Sequence, residues 1–522
     1  MKRRSFIKST SATAVSMPFL LNGLNIGVLP RSSFFKLLNP DNDKVLVIIQ
    51  LQGGNDGLNM VLPLDKYENL ANARANILIP ENEALQLVPE TGLHPAMTGL
   101  KSLFDDAKLT IVHSAGYPDQ NRSHFRSTDI WTSGSASDEF VNPGWLGRYF
   151  LTKYPGYPTG YPNVEVPDPV AITMSSLTSE TCQGTISNYS LAITDPFALS
   201  ALNTGQDGQL PDTPYGYELE FLRGAIAQTN AYTDVILGAA KHGANRVTYP
   251  AGNTNPLANQ LRNVALLISG GLQTKVYVCN LGGFDTHAAQ VVAGSPTTGT
   301  HATLMSRLSE AISLFQEDLK QLGLEERVVG MTFSEFGRQI ASNFSDGTDH
   351  GTAAPLLVFG SCVYPGFVGE NPEIAATLTN QEGVAMQNDF RDVYGSILMD
   401  WFDVEESEIR ELLYEDFQHL PIVKPCSSSK TDDLKSSEIS VEMDIFPNPF
   451  VENTLVRFKS EKEYVKLSLY DVRGQELEVL CNKTLDAGEH KIELNGSRLA
   501  TGNYYLRLQL SGRQKTKMVA RI

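Results

Sequence analysis

The stretch KVLVIIQLQGGNDGLN, residues 44–59, joins an unbroken aliphatic run to an abrupt, polar, glycine-rich end. Strands that are buried on both faces, as in parallel sheets, have continuous runs of Val, Ile and Leu of this kind. The same arrangement recurs at KLTIVHS (108–114), TKVYVCN (274–280) and RVVGMTFS (327–334). A fifth run, PLLVFG (355–360), follows its polar segment, GTDHGTAA, instead of preceding it. We therefore predict buried strands that each adjoin a polar segment.

Helical periodicity appears between several of these runs. In the segment 301–322, apolar residues recur at the three- and four-residue spacing of one helix face. They are Leu304, Leu308, Ile312, Phe315, Leu319 and Leu322. The stretches 217–240 and 255–272 are also predicted to be helices. Strands that alternate with helices indicate an α/β fold in which helices flank a mostly parallel sheet.

Acidic residues and histidines concentrate at the predicted strand ends. In an α/β sheet the functional site lies beyond the carboxyl ends of the strands, so these residues should converge although many positions separate them. The converging group is Asp56, Ser123, His124, Asp285, His287, Glu335, Asp349 and His350. Carboxylates and imidazoles are ligands of zinc, manganese and similar ions. A cation would also offset the repulsion between clustered acids.

Most of these residues also have an ordinary structural interpretation. Asp56 and Asp349 fit turns, and Ser123 fits the N-cap of a helix. His124 fits a stacked position in the core. Glu335 fits a surface pair with Arg338 at helical spacing. Only their common position at strand ends favours a functional site.

Composition argues against two classes of partner. The formal net charge of the 522-residue chain is −17, which disfavours nucleic acid and an anionic membrane surface. The five cysteines are widely spaced and form no CxxC, so neither a disulfide framework nor a cysteine zinc site is indicated. Cys279 and Cys362 lie in apolar runs and are predicted to be buried structural cysteines.

The N-terminus reads MKRRSFIKSTSATAVSMPFLLNGL, with Arg3 and Arg4 ahead of a short apolar stretch. Residues 1–29 resemble a twin-arginine signal peptide, which implies that the twin-arginine translocase exports the folded protein. The alternative is a basic tail without a signal function. The apolar part is shorter than the ~20 residues of a membrane span, so we predict no transmembrane segment in the mature protein.

The chain changes character after about residue 424. Residues 424–440 are polar and Ser-rich and are predicted to be a linker. Residues 441–522 contain short strands at turn spacings, which predicts a small β-sandwich. Its segments FPNPF, LATGNYYLRL and KTKMVARI resemble the C-terminal sorting domain of the Bacteroidetes type nine secretion system. This resemblance implies a secreted or cell-surface protein that passes through the periplasm, whereas the alternative is a carbohydrate-binding or spacer domain.

Four blocks between residues 40 and 423 carry a further resemblance. They are IIQLQGGNDGLNMVLPL, NRSHFRSTDIWTSG, GGFDTH and FSEFGRQIASNFSDGTDHGTAAPLLVFG. These blocks resemble the bacterial family called domain of unknown function 1501, which is regarded as part of the alkaline phosphatase–sulfatase superfamily. The resemblance implies an alkaline phosphatase-like α/β domain over residues 40–423 and a divalent metal ion, either zinc or calcium or magnesium.

The superfamily pattern implies a role for each matching residue. The metal ligands that it implies are Asp56, Asp285, His287, Glu335 and His350, and the nucleophile is Ser123. Phe336 stands where relatives have a ligand histidine, so Asp349 is a candidate to complete the ligand set. No cysteine lies near Ser123, which argues against a formylglycine sulfatase.

The activity that the resemblance implies is metal-dependent hydrolysis of a small phosphate or sulfate ester by an exported protein. Arg122, Arg126 and Arg338 are candidates to hold the anionic group through bidentate hydrogen bonds. The alternative is a non-catalytic cell-surface binding or assembly protein that keeps the fold. In that case the Tyr- and Pro-rich loop 153–169 is a candidate partner surface.

Overall fold

The computed structural model describes residues 20–21, 24–25, 43–200, 210–426, 443–460, 462–470, 476–510 and 513–521. Most of the predicted signal peptide 1–29 and most of the predicted linker 424–440 lie outside these residues, so both stay predictions. The chain divides into two compact units, Met1–Ser428 and Ser429–Ile522. Each unit has a hydrophobic core of its own.

The described strands of the first unit beyond residue 43 form two sheets. In chain order the strands are β1 Val45–Gln52, β2 Val61–Pro63, β3 Leu85–Val88, β4 Thr91–Leu93, β5 Leu109–Gly116, β6 Ala171–Thr173, β7 Ser190–Ala192, β8 Val276–Gly282, β9 Val328–Phe333, β10 Ala354–Phe359, β11 Gly366–Val368 and β12 Asn388–Asp389. Strands β2, β4 and β3 form a small antiparallel sheet. The others form the central sheet in the order β11-β5-β10-β9-β1-β8-β6-β7, with β12 also paired to β5.

The central sheet is parallel at every pairing except those of β10. Strand β10 runs antiparallel to both of its neighbours, β9 and β5. The start of β10 at Ala354 therefore lies at the same edge of the sheet as the carboxyl ends of β1, β8 and β9. This direction explains why the polar segment 347–353 precedes its strand, whereas the other polar segments follow theirs.

Helices cover both faces of the central sheet. They are α1 Gly57–Met60, α2 Tyr67–Arg74, α3 Thr98–Asp105, α4 His124–Ser133, α5 Trp145–Lys153, α6 Pro214–His242, α7 Pro256–Ser269, α8 Thr300–Leu322, α9 Phe390–Phe402 and α10 Glu406–Leu412, with 3-10 turns at Leu64–Lys66, Glu81–Glu83, Glu180–Cys182 and Glu325–Arg327. Alternate residues of β1 enter two separate core clusters, because Val45 and Val47 pack with α7 and α8 while Leu46 and Ile48 pack with α5 and α9. The predicted α/β class is confirmed. Among the described helices, none is both long and apolar enough to cross a membrane.

The second unit consists of antiparallel strands. They are β13 Met443–Phe446, β14 Asn453–Ser460, β15 Glu463–Tyr470, β16 Glu476–Leu485, β17 Gly488–Asn495, β18 Gly502–Leu510 and β19 Arg513–Arg521. One sheet has the order β13-β14-β17 and the other has the order β16-β15-β18-β19. Val456 and Phe458 of the first sheet and Leu467 and Leu506 of the second belong to one buried cluster, so the two sheets share a core.

The cysteines depart from the prediction. Cys362, expected to be an unpaired buried residue, forms a disulfide with Cys426 across a sequence separation of 64 residues. The positions of the cysteines in the sequence do not indicate this pair, because the contact is tertiary. An isolated β-bridge between Val363 and Val423 brings the two cysteines together. Cys279 is buried and free, as predicted. A disulfide suits a protein that is exported to an oxidising compartment.

The tyrosine rings of the loop 153–169 pack into the protein, whereas a partner surface would need them to be exposed. The ring of Tyr157 is buried and stacks on Tyr189 with their centroids 4.5 Å apart. Tyr161 packs against Tyr157 at 5.4 Å. These tyrosines therefore extend the core, and they leave few aromatic rings on the surface of this loop.

Breaking the disulfide should destabilise the first unit. Replacing both cysteines, Cys362→Ser with Cys426→Ser, releases a closed loop of 64 residues. The loss of this constraint on the unfolded chain corresponds to about 4 kcal/mol in the chain-entropy model. Urea unfolding, followed with and without dithiothreitol, measures the difference. The double variant should show no response to the reductant, and equal stability of all four samples would contradict the pairing.

Candidate metal centre

A single buried arginine joins the loops at the carboxyl edge of the sheet. Arg338, five residues after β9, donates hydrogen bonds from Nε to the Gly54 carbonyl and from Nη1 to the Thr348 carbonyl, both at 2.8 Å. Its Nη2 donates to the Phe284 carbonyl at 3.0 Å and to Asp285 Oδ1 at 2.7 Å. The guanidinium thus links the loops after β1 and β8 to the segment before β10.

Two glycines of the opening motif allow this close approach. Gly53 has a φ of +120°, and a Cβ there would lie 2.4 Å from the backbone nitrogen of Asp285. Gly54 has a φ of +79°, and its Cβ would lie 2.3 Å from the Phe336 ring. Only glycine combines this backbone conformation with the space available, which accounts for the GG of GGND.

Three side chains from three loops meet in one group. They are His124 at the start of α4, Asp285 after β8 and His350 before β10, and one ligand atom from each lies within 4.8 Å of the others. His350 Nε2 is 3.2 Å from Asp285 Oδ1, and His124 Nε2 is 3.5 Å from Asp285 Oδ2. His287 adjoins the group, with Nε2 3.2 Å from Asp285 Oδ1 and 2.9 Å from His350 Nε2.

An oxygen atom contacts the other ring nitrogen of each histidine. Nδ1 of His124 is 2.9 Å from Glu335 Oε1, and Nδ1 of His287 is 2.6 Å from Asp349 Oδ1. Nδ1 of His350 is 2.8 Å from the Arg122 carbonyl. Histidines that bind metals are held in this manner by carboxylates or backbone carbonyls behind them.

Hydrogen bonds lower and burial raises the pKa of Asp285 and of Asp349. Burial alone would raise the pKa of Asp285, but the hydrogen bond and charge of Arg338, together with the neighbouring histidines, outweigh it and lower that pKa to about 2. The hydrogen bond from His287 lowers the pKa of Asp349, against an opposing effect of burial. Burial lowers the pKa of His350, against opposing hydrogen bonds, and so favours the neutral imidazole.

The group carries an excess of negative charge. Asp285, Glu335 and Asp349 contribute three carboxylates, and Arg338 contributes one guanidinium, so two negative charges remain. A divalent cation would balance them, and it would remove the repulsion between acids at short range. Imidazole nitrogens and carboxylate oxygens are ligands that such ions take in proteins. The residues present therefore fit a divalent metal.

Asp56 is not part of this group. It is 1% exposed, and Arg74 Nη1 donates to both of its carboxylate oxygens at 2.9 Å. Gln290 Nε2 donates to Oδ2 at 2.6 Å. Burial raises the pKa of Asp56, but the charges of Arg74 and His301 and the hydrogen bonds from Arg74 and Gln290 together outweigh it and lower that pKa. The structure thus places Asp56 in a buried ion pair rather than beside His124, Asp285 and His350.

Glu335 and Asp349 lie behind the histidines. The Glu335 carboxylate is buried and accepts hydrogen bonds from the Gly53 backbone N–H at 2.8 Å and from His124. Asp349 accepts hydrogen bonds from His287 and, at 3.3 Å, from Asn343. The alternative surface pair between Glu335 and Arg338 is wrong, because both side chains are buried and Arg338 pairs with Asp285.

Ser123 is exposed at the N-cap of α4, and its hydroxyl makes no capping hydrogen bond. The next residue, His124, is the one whose side chain enters the centre. His124 belonged to the converging set in the sequence, but no ligand role was predicted for it. Phe336, in place of a histidine, is buried against the rings of His124 and His350, at centroid distances of 4.9 and 4.5 Å.

The three predicted anion-binding arginines all have partners within the protein. Arg126 donates to the carbonyls of residues 136, 137 and 139, and its guanidinium lies 3.9 Å from the Phe140 ring centroid. Arg338 is used entirely in joining the loops. Arg122 donates to the Gln381 carbonyl at 2.9 Å at the exposed rim of the centre. Of the three, Arg122 is therefore the one whose guanidinium lies at the rim of the centre.

Family comparisons agree with the two units of the chain. Residues 251–412 match the model described as "Protein of unknown function (DUF1501)". The chain carries a DUF1501 segment. This segment contains Asp285, His287, Glu335, Asp349 and His350, whereas His124 lies before it. Residues 444–521 match the "Secretion system C-terminal sorting domain", which indicates export and either secretion or surface attachment.

Solved structures that match this chain include sulfatases and phosphatases. The PsFucS1 sulfatase from Pseudoalteromonas sp. is 10% identical, with a TM-score of 0.34 over 90% of this chain and 87% of that one. A protein of the alkaline phosphatase superfamily from Vibrio parahaemolyticus is 11% identical, with a TM-score of 0.30 over 85% and 82%. No curated protein matches this chain. At these scores the alignments carry no argument about activity.

Replacing the joining arginine should destabilise the fold. In Arg338→Lys, one ammonium with three donors must substitute for a fork that contacts Asp285 and the four carbonyls of Gly53, Gly54, Phe284 and Thr348. We expect a loss of about 3 kcal/mol in the free energy of unfolding, because buried acceptors stay unpaired. Urea unfolding measures it. The matched control, Arg126→Lys, should cost less than about 1 kcal/mol, and equal losses in both variants would contradict the special role of Arg338.

Proposed function

We propose that this protein is an exported, metal-dependent hydrolase of phosphate or sulfate esters. The observation that carries the proposal is the meeting of His124, Asp285 and His350, with His287 beside them. These side chains would hold the ion. Counted with Glu335 and Asp349 behind the histidines and with Arg338, they carry two excess negative charges. The Asp285 side chain is 48% exposed, so the centre opens to solvent and to a substrate.

In hydrolases of this kind the ion supplies Lewis-acid chemistry, since it polarises an ester oxygen. The chain's own residues supply the rest. Ser123 presents an exposed hydroxyl one residue before His124 and is the proposed nucleophile. Arg122 lies at the rim, where its guanidinium would hold an anionic oxygen of the ester. Phe336 excludes water from the inner side of the two imidazoles.

The proposed route of export has two stages. Residues 1–29 would direct the folded chain through the twin-arginine translocase, and the sorting domain would then direct it from the periplasm across the outer membrane. Folding before export would let the centre take up its ion in the cytoplasm. The mature protein would be secreted or attached to the cell surface.

Two observations favour a second candidate function, that of a non-catalytic surface binding or assembly protein. Asp56, which the superfamily pattern assigns to a metal, is saturated by Arg74 and Gln290, and Phe336 replaces a ligand histidine. A protein that keeps the fold without its chemistry would tolerate both changes. The two candidates differ in whether an ester is hydrolysed.

The ligand variant His350→Ala separates them. It should lose both the bound metal and the hydrolysis of aryl phosphates or aryl sulfates while its circular dichroism stays unchanged, because an essential nitrogen ligand is removed. Metal content is measured by mass spectrometry on the purified full chain. The matched control is His419→Ala, which removes a histidine paired to Asp400 at 2.9 Å outside the centre and should change neither property. Activity retained in His350→Ala would contradict the proposal, and a wild-type protein without hydrolysis would favour the binding role.

A further inference from the structure

We infer that the centre selects a nitrogen-preferring transition ion of the zinc type over calcium and magnesium, and that Glu335 is a positioning residue for His124 and not a metal ligand. The inference rests on the metal part of the proposed function but not on the ester substrate. The inference assigns the class of ion, and it assigns to Glu335 the role of orienting one of the ion's histidine ligands.

The first step concerns the hydrogen atoms on the imidazoles. The Arg122 carbonyl is only an acceptor, so Nδ1 of His350 must carry the proton of their 2.8 Å hydrogen bond. The carboxylate oxygens of Glu335 and Asp349 likewise accept from Nδ1 of His124 and His287. In the neutral rings, each Nε2 is therefore an unprotonated nitrogen with an available lone pair.

The second step concerns the spacing of these lone pairs. Nε2 of His287 and Nε2 of His350 are 2.9 Å apart, and each lies 3.2 Å from Asp285 Oδ1. His124 Nε2 lies 3.5 Å from Asp285 Oδ2. Ligand atoms around a tetrahedral zinc ion are about 3.3 Å apart, as follows from bonds of about 2.0–2.1 Å. Two unprotonated nitrogens at 2.9 Å also repel each other unless a cation or a proton lies between them.

The third step concerns the type of donor. Two imidazole nitrogens and one carboxylate form the compact group, and a third imidazole nitrogen, from His287, adjoins Asp285 and His350. Calcium instead takes six to eight oxygen ligands, and magnesium keeps an octahedral shell of oxygens. Imidazole suits zinc, copper, iron and nickel. Glu335 and Asp349 are not among the mutually close ligand atoms of His124, Asp285 and His350, and each lies behind a histidine whose Nδ1–H it accepts. The donor set therefore disfavours the hard cations.

The role of Glu335 follows from its surroundings. The side chain is 4% exposed, and a single oxygen, Oε1, accepts both the Gly53 N–H at 2.8 Å and the His124 Nδ1–H at 2.9 Å. The backbone of the glycine loop thus fixes the carboxylate, and the carboxylate fixes the ring of His124. A glutamine retains such an oxygen and can keep both hydrogen bonds, whereas a leucine of similar size cannot.

The experiment uses the metal-stripped full chain. Affinities for Zn²⁺, Co²⁺, Ca²⁺ and Mg²⁺ are measured by competition with a chelating dye, and the visible absorption of bound Co²⁺ reports the ligand geometry. We expect Zn²⁺ and Co²⁺ to bind far more tightly than Ca²⁺ and Mg²⁺, with intense four-coordinate Co²⁺ bands. Glu335→Leu should weaken Zn²⁺ binding by about 10–100-fold and alter the Co²⁺ spectrum. Glu335→Gln should restore most of the affinity and the spectrum, and Glu411→Leu, a control at an exposed position of α10, should change neither.

Two results would overturn the inference. One is tight binding of Ca²⁺ or Mg²⁺ with weak binding of Zn²⁺. The other is an equal loss in Glu335→Gln and Glu335→Leu, which is the behaviour of a directly bound carboxylate. The proposed function fails separately, since Zn²⁺ binding as expected without ester hydrolysis supports the inference and refutes the hydrolase. Hydrolysis that is restored only by Ca²⁺ or Mg²⁺ would support the hydrolase and refute the inference about the ion.

Discussion

The buried guanidinium of Arg338 is the constraint on which the rest of the centre depends. A charge without water requires a full set of partners, and here the partners are backbone carbonyls from three separate loops. Its one acidic partner, Asp285, is also the carboxylate at the middle of the ligand group. Arg338 therefore holds the loops together, and through Asp285 it also fixes a carboxylate that faces the candidate metal. The stability of this edge of the sheet and the geometry of the centre are linked for that reason.

The reversed strand β10 gives the centre its shape. If β10 ran parallel to its neighbours, the segment 347–353 would begin at the opposite edge of the sheet, far from Asp285. Because it runs antiparallel, His350 reaches the carboxyl edge four residues before the strand begins. An isolated bridge pairs Arg338 with His350 and places the histidine next to the joining arginine. Strand direction, and not only strand position, thus decides which residues meet.

Much of the architecture was predictable from the sequence, and the roles within the centre were not. The aliphatic runs at β1, β5, β8, β9 and β10 and the helical stripe of α8 are local patterns, and local patterns are visible in a sequence. The partnership of Asp56 with Arg74 is a tertiary contact across 18 residues, with no local signature. Glu335 has the chemistry of a ligand, and its position behind His124 depends on a glycine loop 282 residues away. The pairing of Cys362 with Cys426 was missed for the same reason.

The disulfide also determines how the chain responds to a mechanical load. The sorting domain is joined to the first unit just after Cys426, and Cys426 is bonded to Cys362, which lies three residues beyond β10. Tension on the tail would pass through the sulfur atoms directly to the end of a central strand. Residues 363–425, which include α9 and α10, would carry none of it. If the C-terminal domain were pulled, the disulfide would keep residues 363–425 from unfolding first.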